Sequence, residues 1–170
     1  MNKNAKNNEW NIADILTSRS GIFHPGQYLI IPNVSWGFDL NFECDLLICS
    51  KSKILYEVEI KSSKQDLKND FKKWRYRLTQ NNHHKIAFKY YAMPKELITD
   101  ETKELIPIHN GIIEVDLTYN RAKIIRKAKK NPKFKKIDRN DYEILLRLAA
   151  LRYWSIRHKL FSNKYWNENE

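Results

Sequence analysis

The chain has 170 residues, of which 42% are hydrophobic and 30% charged, which is the composition and size of one ordinary globular domain. No run of about 18 apolar residues occurs, so no segment is predicted to span a bilayer, and the polar N-terminus lacks the apolar stretch of a secretory signal. The formal net charge of +11 favours a polyanionic partner, with nucleic acid first and an anionic membrane surface second.

The cysteines and glycines exclude several classes of site. Cys44 and Cys49 are the only cysteines, and they lie in an apolar run without a CxxC or CxxH pattern. We therefore expect buried thiols in a reducing cytoplasm, and neither a disulfide nor a zinc site. With four glycines and no GxGxxG or GxxxxGK[ST] motif, a nucleotide-cradling loop is unsupported.

The first elements in chain order are short. Residues 1–8 are rich in Asn and Lys and are predicted to form a disordered tail. Apolar residues at loosely helical spacing predict a helix over 9–19. Segment 27–36 is apolar but contains Pro32, which cannot donate to a strand ladder, so it is predicted as an edge strand or an extended segment.

A hairpin and a helix follow. Residues 42–49 (FECDLLIC) and 54–61 (ILYEVEIK) are predicted as two strands joined by a hairpin turn. Ser62 and Ser63 then begin S-x-x-Q and S-x-x-D spacings, which are typical of a helix N-cap. The helix predicted over 63–79 has one apolar stripe, formed by Leu67, Phe71, Trp74 and Leu78.

The second half of the chain alternates between strands and helices. Residues 85–93 are predicted as a strand, and 94–105 as a short helix or loop. Residues 111–117 and 122–126 are predicted as a hairpin, with Ile124 and Ile125 buried. A helix with a wide apolar face is predicted over 139–161. The order of elements predicts a mixed α/β fold.

Acidic residues and a lysine recur on the two strands of the first hairpin. Because side chains alternate between the faces of a strand, Glu43 and Asp45 share one face, and Glu57, Glu59 and Lys61 share one face of the next strand. Facing side chains on neighbouring strands can meet, so several carboxylates and one ammonium are predicted to converge. Charge amid apolar neighbours is costly without a partner, which favours a functional cluster over an exposed sheet face that merely carries charges.

Such a cluster has a clear chemical use. Carboxylates packed together repel one another, and a divalent cation removes the repulsion. Oxygen ligands of this kind suit Mg²⁺ or Mn²⁺, which polarises a phosphoryl oxygen and lowers the pKa of a bound water. A neighbouring lysine can position that water or stabilise charge at the phosphate.

The same residues resemble the PD-(D/E)xK nuclease superfamily, with Asp45 as the first acid and Glu59-Ile60-Lys61 as the ExK motif. The longer run ECDLLI…ILYEVEIKSSKQDLKNDFKKW is more narrowly similar to the MmcB-like family, which is related to DNA repair and also found in phage-type sequences. The proline that often precedes the first acid is absent, because Cys44 stands there.

The resemblance implies a fold and a set of roles. It implies a restriction-endonuclease-like core, which is a central mixed sheet flanked by helices, here with a C-terminal helical extension. It further implies metal ligation by Asp45, Glu59 and the Ile60 carbonyl, with Lys61 assisting catalysis. Glu57 lies on the same face and is a candidate for a further catalytic or ligand role, and Glu43 is a candidate ligand or a structural residue.

Basic residues follow the acidic motif directly and suggest where a phosphate backbone would run. The candidate nucleic-acid contacts on the 63–79 helix are Lys64, Gln65, Lys68, Lys72 and Arg75. Gln65 is equally explained by a capping role. The basic segment 121–136, which carries no acidic residue, is either a second contact surface or a solvated loop.

These observations predict a Mg²⁺- or Mn²⁺-dependent DNA nuclease of the cytoplasm, acting in DNA repair or recombination or in phage DNA metabolism, with DNA and no membrane as partner. The alternatives are a non-catalytic DNA-binding module that retains the fold and a protein-interaction scaffold. The nuclease-like domain is predicted over 9–130. The helix over 138–165 is predicted to pack on the core or to form an oligomer interface, for which a homodimer is one option.

Overall fold

The structure is a computed structural model, and it describes residues 9–35, 37, 38, 40, 43–77 and 84–167, with side chains omitted for 71–77 and 162–167. The predicted disordered tail, residues 1–8, lies outside the described residues.

The described strands form one six-stranded sheet in which spatial order follows chain order. The predicted hairpins and the strand between them are all present. The strands are β1 (Tyr28–Val34), β2 (Cys44–Ser50), β3 (Leu55–Ile60), β4 (Ile86–Pro94), β5 (Gly111–Asp116) and β6 (Arg121–Arg126).

The sheet is mixed because its centre is parallel and its flanks are antiparallel. β1, β2 and β3 pair antiparallel, β3, β4 and β5 pair parallel, and β6 returns antiparallel to β5. Parallel neighbours need a crossover connection, which helices supply here between β3 and β4 and between β4 and β5. This confirms the α/β fold class with a core of the restriction-endonuclease-like type.

Helices cover both faces of the sheet. The helices are α1 (Glu9–Thr17), α2 (Lys64–Arg77), α3 (Asp100–Leu105) and α4 (Arg139–Asn167), with a 3₁₀ turn at Lys95–Leu97. α1 packs on one face through buried Ile12 and Leu16, against Val58 and Ile60 of β3. The other face is covered by the start of α2 together with α3, and by the first half of α4.

The central strands are apolar on both faces because both faces are covered. Leu46 and Ile48 of β2 point towards α1, whereas Leu47 and Cys49 point towards α4. Both cysteines are buried free thiols, as predicted. We call the face of Leu47, which points towards α4, the second face. A polar side chain buried in so apolar a sheet needs a hydrogen-bond or ion-pair partner.

The two edge strands differ in how they end the sheet. β1 contains Pro32 and is an edge strand, as the sequence predicts. The prediction that Ile124 and Ile125 are buried is wrong, because their side chains are 40% and 37% exposed. β6 is the opposite edge strand, and its burial pattern shows only partial cover on either face.

α4 is longer than the predicted helix, and only its first half packs on the domain. Leu145 and Leu148 are buried against β1 and its neighbours, and the N–H groups of Arg152 donate to the carbonyl of Asn33. Every described side chain from Tyr153 onwards is exposed. Among the described residues, no helix combines the length and apolar character needed to cross a membrane.

Candidate active site

Antiparallel pairing of β2 with β3 sets the position of the two acids of the predicted motif. Leu46 is the register partner of Val58, so the next step along both strands places Asp45 opposite Glu59. Val58 and Leu46 point towards α1, so alternation along β3 puts Glu59 on the second face. Asp45 does not follow this alternation, because its neighbour Cys44 is buried on the second face and Asp45 itself lines a cleft against α1. The structure therefore places the two acids at the same end of the β2–β3 pair, with Asp45 turned to the α1 cleft and Glu59 to the second face.

A backbone hydrogen bond fixes Asp45 to the end of β3. The Ile60 N–H donates to Asp45 Oδ2 over 2.7 Å, which uses one of the two carboxylate oxygens. Asp45 also lines a cleft of about 70 Å³ between the sheet and α1, together with Glu9 and Asn33. Asn33 adopts a left-handed backbone conformation (φ 51°) on β1, next to this cleft.

Glu57 and Glu59 lie deeper, and each is 3% exposed. Glu57 is ion-paired with Lys89 of β4, its register partner across the parallel β3–β4 pair. Lys89 Nζ also lies 3.8 Å from Glu59 Oε1. Among the described residues, Glu59 Oε1 is a buried oxygen with no hydrogen-bond donor.

Lys61 follows β3 directly and closes the cluster. Its backbone N–H donates to the Ala92 carbonyl over 2.9 Å, which fixes it beside β4. Its ammonium, in a side chain 8% exposed, donates to Glu59 Oε2 over 3.1 Å. The same ammonium lies 3.7 Å from Asp70 Oδ1 of α2. Lys61 thus joins the end of the strand to the helix that follows it.

Asp70 accepts a hydrogen bond from a tyrosine of the sheet. The Tyr91 hydroxyl on β4 donates to Asp70 Oδ2 over 3.1 Å, and both residues are buried. α2 begins after Ser63, whose Oγ accepts the Asp66 N–H over 3.1 Å in the N-cap position that the sequence predicts. This start places Asp70 on the inward side of the helix with Leu67.

We call the group Asp45, Glu57, Glu59, Lys61, Asp70 and Lys89 the carboxylate–lysine cluster. Burial and the charge of Glu59 raise the pKa of Asp45 to about 6, although the Ile60 N–H and Lys61 oppose this. Burial raises the pKa of Glu57 to about 7 against the lowering effect of Lys89, and the neighbouring Glu59 raises it further.

The pKa of Glu59 shifts in the opposite direction. Burial alone would raise it, but Lys89 and Lys61 together hold the pKa of Glu59 below its ordinary value. Burial would lower the pKa of Lys61, yet Glu59 and Asp70 raise it above its ordinary value. Near neutral pH, Glu59 and Lys61 are therefore both charged while Glu57 is partly protonated.

The donor atoms suit a hard divalent cation. Carboxylate oxygens of Asp45 and Glu59 and the Ile60 carbonyl are the ligand types that Mg²⁺ and Mn²⁺ accept. The unpartnered Glu59 Oε1 leaves one buried acceptor that a cation, or a proton shared with Glu57, would satisfy. Among the described residues, no three His, Cys, Asp or Glu side chains come together as a metal-binding group.

Two residues of the predicted set lie away from the cluster. Glu43 precedes β2 and is exposed, so it is not among the buried or partly buried groups of the cluster. Gln65 is exposed, and its amide donates to Asn69 Oδ1 over 2.9 Å within α2. Neither side chain is held in the cluster, because Glu43 lies before the strand begins and Gln65 lies on the outer side of the helix.

The predicted basic contacts are only partly described. Lys64 and Lys68 are exposed on α2, and both pair with Glu101 of α3, Lys68 at 3.5 Å. The side chains of Lys72 and Arg75 lie outside the described residues, although the helix backbone there is described. The start of α2 therefore presents two exposed lysines, both paired with α3.

The sequence reasoning missed three members of this site, namely Asp70, Lys89 and Tyr91. Two of them carry a local signal. Lys89 interrupts the apolar strand KIAFKYYAM, and Asp70 lies three residues after Leu67, on the apolar stripe of its helix. A charged residue inside an otherwise buried pattern requires a partner, which is the signal that would have found both. Tyr91 has no such signal, because tyrosine is common in buried strands.

The fold and the site together define a nuclease-related α/β protein with a restriction-endonuclease-like core. The chain belongs to NERD, the nuclease-related domain family, whose model matches residues 5–115. The match includes the described strands β1 to β4 and nearly all of β5, and thus every member of the carboxylate–lysine cluster. It supports a nuclease-like domain and not the MmcB-like family in particular.

The fold is also found in a solved structure, which is described as a protein of unknown function from Silicibacter pomeroyi. The alignment covers 82% of this chain and 84% of that chain, with a TM-score of 0.55 and 18% sequence identity. This similarity supports the fold alone. No curated protein matches the chain.

Proposed function

We propose that this protein is a Mg²⁺- or Mn²⁺-dependent deoxyribonuclease that hydrolyses phosphodiester bonds in DNA repair, recombination or phage DNA metabolism. The observation that carries the proposal is the Asp45–Glu59–Lys61 arrangement. Asp45 and Glu59 lie on neighbouring strands at the same end of the sheet, the Ile60 N–H next to Glu59 donates to Asp45, and the Lys61 ammonium lies 3.1 Å from Glu59 Oε2. The NERD family supports the coarser statement of a nuclease-related function.

Each residue has a separate task in this proposal. Asp45, Glu59 and the Ile60 carbonyl would hold the cation, which would supply positive charge at the phosphate and make a water molecule more acidic. Glu59 suits this task because its pKa is held low, so it is a charged ligand throughout the neutral range. The hydrogen bond from Ile60 keeps Asp45 oriented in the absence of substrate.

Lys61 acts on the phosphate and the attacking water. Its ammonium remains protonated because the surrounding carboxylates raise its pKa. A charged donor aimed at developing negative charge stabilises the transition state more than the ground state. Asp70 holds the other side of the ammonium, so Lys61 is pre-oriented and loses little freedom when substrate binds.

DNA would approach over the start of α2. Lys64 and Lys68 lie there, on the helix that begins directly after Lys61, and their side chains are about half exposed at 45% and 44%. Contacts between these ammonium groups and phosphates release counterions, so binding should weaken steeply with salt. We assign Lys72, Arg75 and Gln65 to the same surface from their positions in the sequence.

A second candidate function is a non-catalytic DNA-binding module with the same fold. It is favoured by one observation: among the described residues, no group of three metal-binding side chains is found. In that case Glu57 and Glu59 would share a proton instead of facing a cation. The basic surface would still bind DNA, and the cluster would serve only the stability of the fold.

The experiment measures cleavage of duplex, branched and single-stranded DNA by the full chain with Mg²⁺, with Mn²⁺ and with EDTA. The proposal requires cleavage that depends on the cation and is lost in Asp45→Asn and in Lys61→Met, while both variants bind DNA within about threefold of wild type. The matched control is Glu96→Gln, which changes an exposed carboxyl of the 3₁₀ turn and should cleave normally.

Calorimetry distinguishes the two candidates. Titration with Mn²⁺ should show one site that Asp45→Asn weakens by about a hundredfold and Glu96→Gln leaves unchanged. Absence of both cation binding and cleavage, with DNA binding intact, would favour the non-catalytic module and overturn the nuclease.

A further inference from the structure

α4 exposes many large apolar side chains along its length, and five of those that the structure describes lie beyond Arg152. Among the described residues, seven of the twelve exposed large hydrophobic side chains lie on this helix. Exposed apolar surface of this extent marks an interaction site, because leaving it in water is costly. The seven side chains are Leu146, Leu151, Tyr153, Trp154, Ile156, Leu160 and Phe161.

Part of this surface follows a strict repeat. Apolar residues stand along α4 at alternating intervals of four and three residues, which is the heptad spacing of a helix that packs along another helix. We call this stripe the α4 seam, and its members are Leu146, Ala149, Tyr153, Ile156 and Leu160. The seam extends for about 21 Å, at 1.5 Å per residue.

The seam adjoins the face that packs on the domain, and its member Ala149 is partly buried against that core. The buried positions are Leu145 and Leu148, and about a quarter turn of the helix separates their mean direction from that of the seam. Ile156 and Leu160 of the seam are 39% and 67% exposed. The helix can therefore keep its contact with β1 while a second helix lies along the seam.

We propose that the α4 seam pairs antiparallel with the α4 seam of a second copy of this chain. A two-fold axis near residue 151 opposes Ala149 to Tyr153 of the partner subunit, and Leu146 to Ile156 of the partner subunit. The small Ala149 leaves space for the large Tyr153 ring, so the stripe is complementary to itself in this direction. In this arrangement residue i contacts residue j and j contacts i, as two-fold symmetry requires.

Charge also selects the antiparallel direction. No acidic residue occurs on α4 between Glu143 and the end of the helix, so the charged flanks of the seam beyond Glu143 are all basic. In a parallel pair, Arg152 would face Arg157 of the partner subunit, which is repulsive. In the antiparallel pair, Arg152 still faces Arg152 of the partner subunit near the axis, but Glu143 lies beside Arg157 of the partner subunit at both ends, which gives two attractive contacts against one repulsive contact.

The shape of the subunit permits this pairing. The domain body covers α4 only up to about Arg152, and the remainder of the described helix projects beyond it. An antiparallel partner therefore places its own body along the free half of the first helix.

Sedimentation equilibrium on the full chain over a range of concentrations tests the pairing. The wild type should dimerise, and Ile156→Asp and Leu160→Asp should each raise the dimer dissociation constant at least tenfold. The matched control is Leu151→Asp, because Leu151 is 51% exposed but lies on the opposite side of α4 from the seam. This control should dimerise within about threefold of the wild type, and circular dichroism confirms that all variants fold.

Cysteine cross-linking tests the direction. A mixture of Leu146→Cys and Ile156→Cys chains should form a disulfide-linked dimer on oxidation, whereas either variant alone should not. The native Cys44 and Cys49 are buried and do not interfere.

Three results would overturn the proposal: a monomer at every concentration, a dimer insensitive to the seam substitutions, or cross-linking of each cysteine variant with itself. Binding of the monomer to anionic vesicles or to DNA through Leu160 would also overturn the proposal, because the seam would then contact a membrane or DNA and not a second copy of the chain.

Discussion

Glu57 and Lys89 are register partners on parallel strands, and their side chains form an ion pair on a buried face of the sheet. Lys89 also lies 3.8 Å from Glu59, so one ammonium compensates two buried carboxylates. This relationship explains how a strand with two acidic residues can lie at the centre of an apolar sheet. It also makes Lys89 the residue on which the geometry of the site depends.

Replacement of Lys89 should strongly destabilise the fold. Lys89→Met leaves Glu57 and Glu59 buried without their shared ammonium, which should cost about 3–5 kcal/mol of unfolding free energy near pH 8. The loss should shrink as the pH falls towards 6, because the pKa of Glu57 is already raised and the carboxyl can take up a proton. Urea unfolding at both pH values measures the difference.

A surface pair provides the control for this experiment. Lys123 lies 2.8 Å from Glu114 near the β6 edge, and its side chain is 67% exposed. Lys123→Met should change the unfolding free energy by less than about 1 kcal/mol at either pH. An equal effect of the two substitutions would contradict the role given to Lys89.

The charged carboxylate of Asp45 should lower the free energy of unfolding at pH 8. Its folded-state pKa of about 6 lies above the ordinary value of 3.8, so the folded protein binds the proton more tightly. The stability from this proton is complete below pH 4 and is lost as the pH rises through about 6. Asp45→Asn should therefore be about 1–2 kcal/mol more stable than wild type at pH 8, while near pH 4 the two should converge.

Urea unfolding in EDTA checks this prediction, since a bound cation would mask the repulsion. Glu96→Gln, on an exposed turn, should show no such crossover. A wild type that is the more stable protein at pH 8 would count against a strained Asp45.

Tyr91 should act on Lys61 through Asp70. Tyr91→Phe removes the hydroxyl that donates to Asp70 Oδ2 over 3.1 Å, and should lower the unfolding free energy by about 1–3 kcal/mol. If Lys61 works as proposed, kcat for DNA cleavage should fall several-fold with KM nearly unchanged, since DNA binding is not altered. Steady-state cleavage at saturating cation gives both constants.

The neighbouring tyrosine is a matched control. Tyr90 is buried on the opposite face of the sheet, against the α1 side of the core. Tyr90→Phe should leave kcat unchanged. A loss of kcat with both substitutions would indicate a general effect on packing and no specific role for Tyr91.

Glu101 should limit the affinity for DNA. It pairs with Lys64 and with Lys68, and so neutralises part of the surface assigned to phosphate binding. Glu101→Gln should tighten DNA binding several-fold at low salt and steepen the dependence on salt by up to about one unit per added phosphate contact. Fluorescence anisotropy across a salt series measures both quantities.

Glu104→Gln, on the same helix and exposed, removes the same charge from the protein and should have the smaller effect. If the two variants bind DNA equally, net charge alone sets the affinity and DNA does not contact the start of α2.

The sequence predicted the strands and helices well because their signals are local. Alternation over β2 and β3 placed Asp45, Glu59 and Lys61 on facing strands, and the serine before α2 marked the start of that helix. The motif also identified a nuclease-related domain, which the family match supports, although the narrower resemblance to the MmcB-like family is not supported.

The wrong prediction of buried side chains concerns an edge strand of the sheet. Ile124 and Ile125 lie in an apolar pattern that predicts burial, but β6 is the last strand of the sheet and too little of the protein covers it. A strand pattern shows which residues share a face, and it does not show whether anything packs against that face.

The amino-acid sequence by itself determined the acids, the lysine and the strands that carry them. Only the tertiary structure decided their partners. Lys89 reaches Glu57 across 32 positions of chain, and Tyr91 reaches Asp70 across 21, because β4 lies parallel beside β3 after the α2 crossover. The register of a parallel pair depends on how the crossover helix packs, and the local periodicity of either strand does not predict that packing.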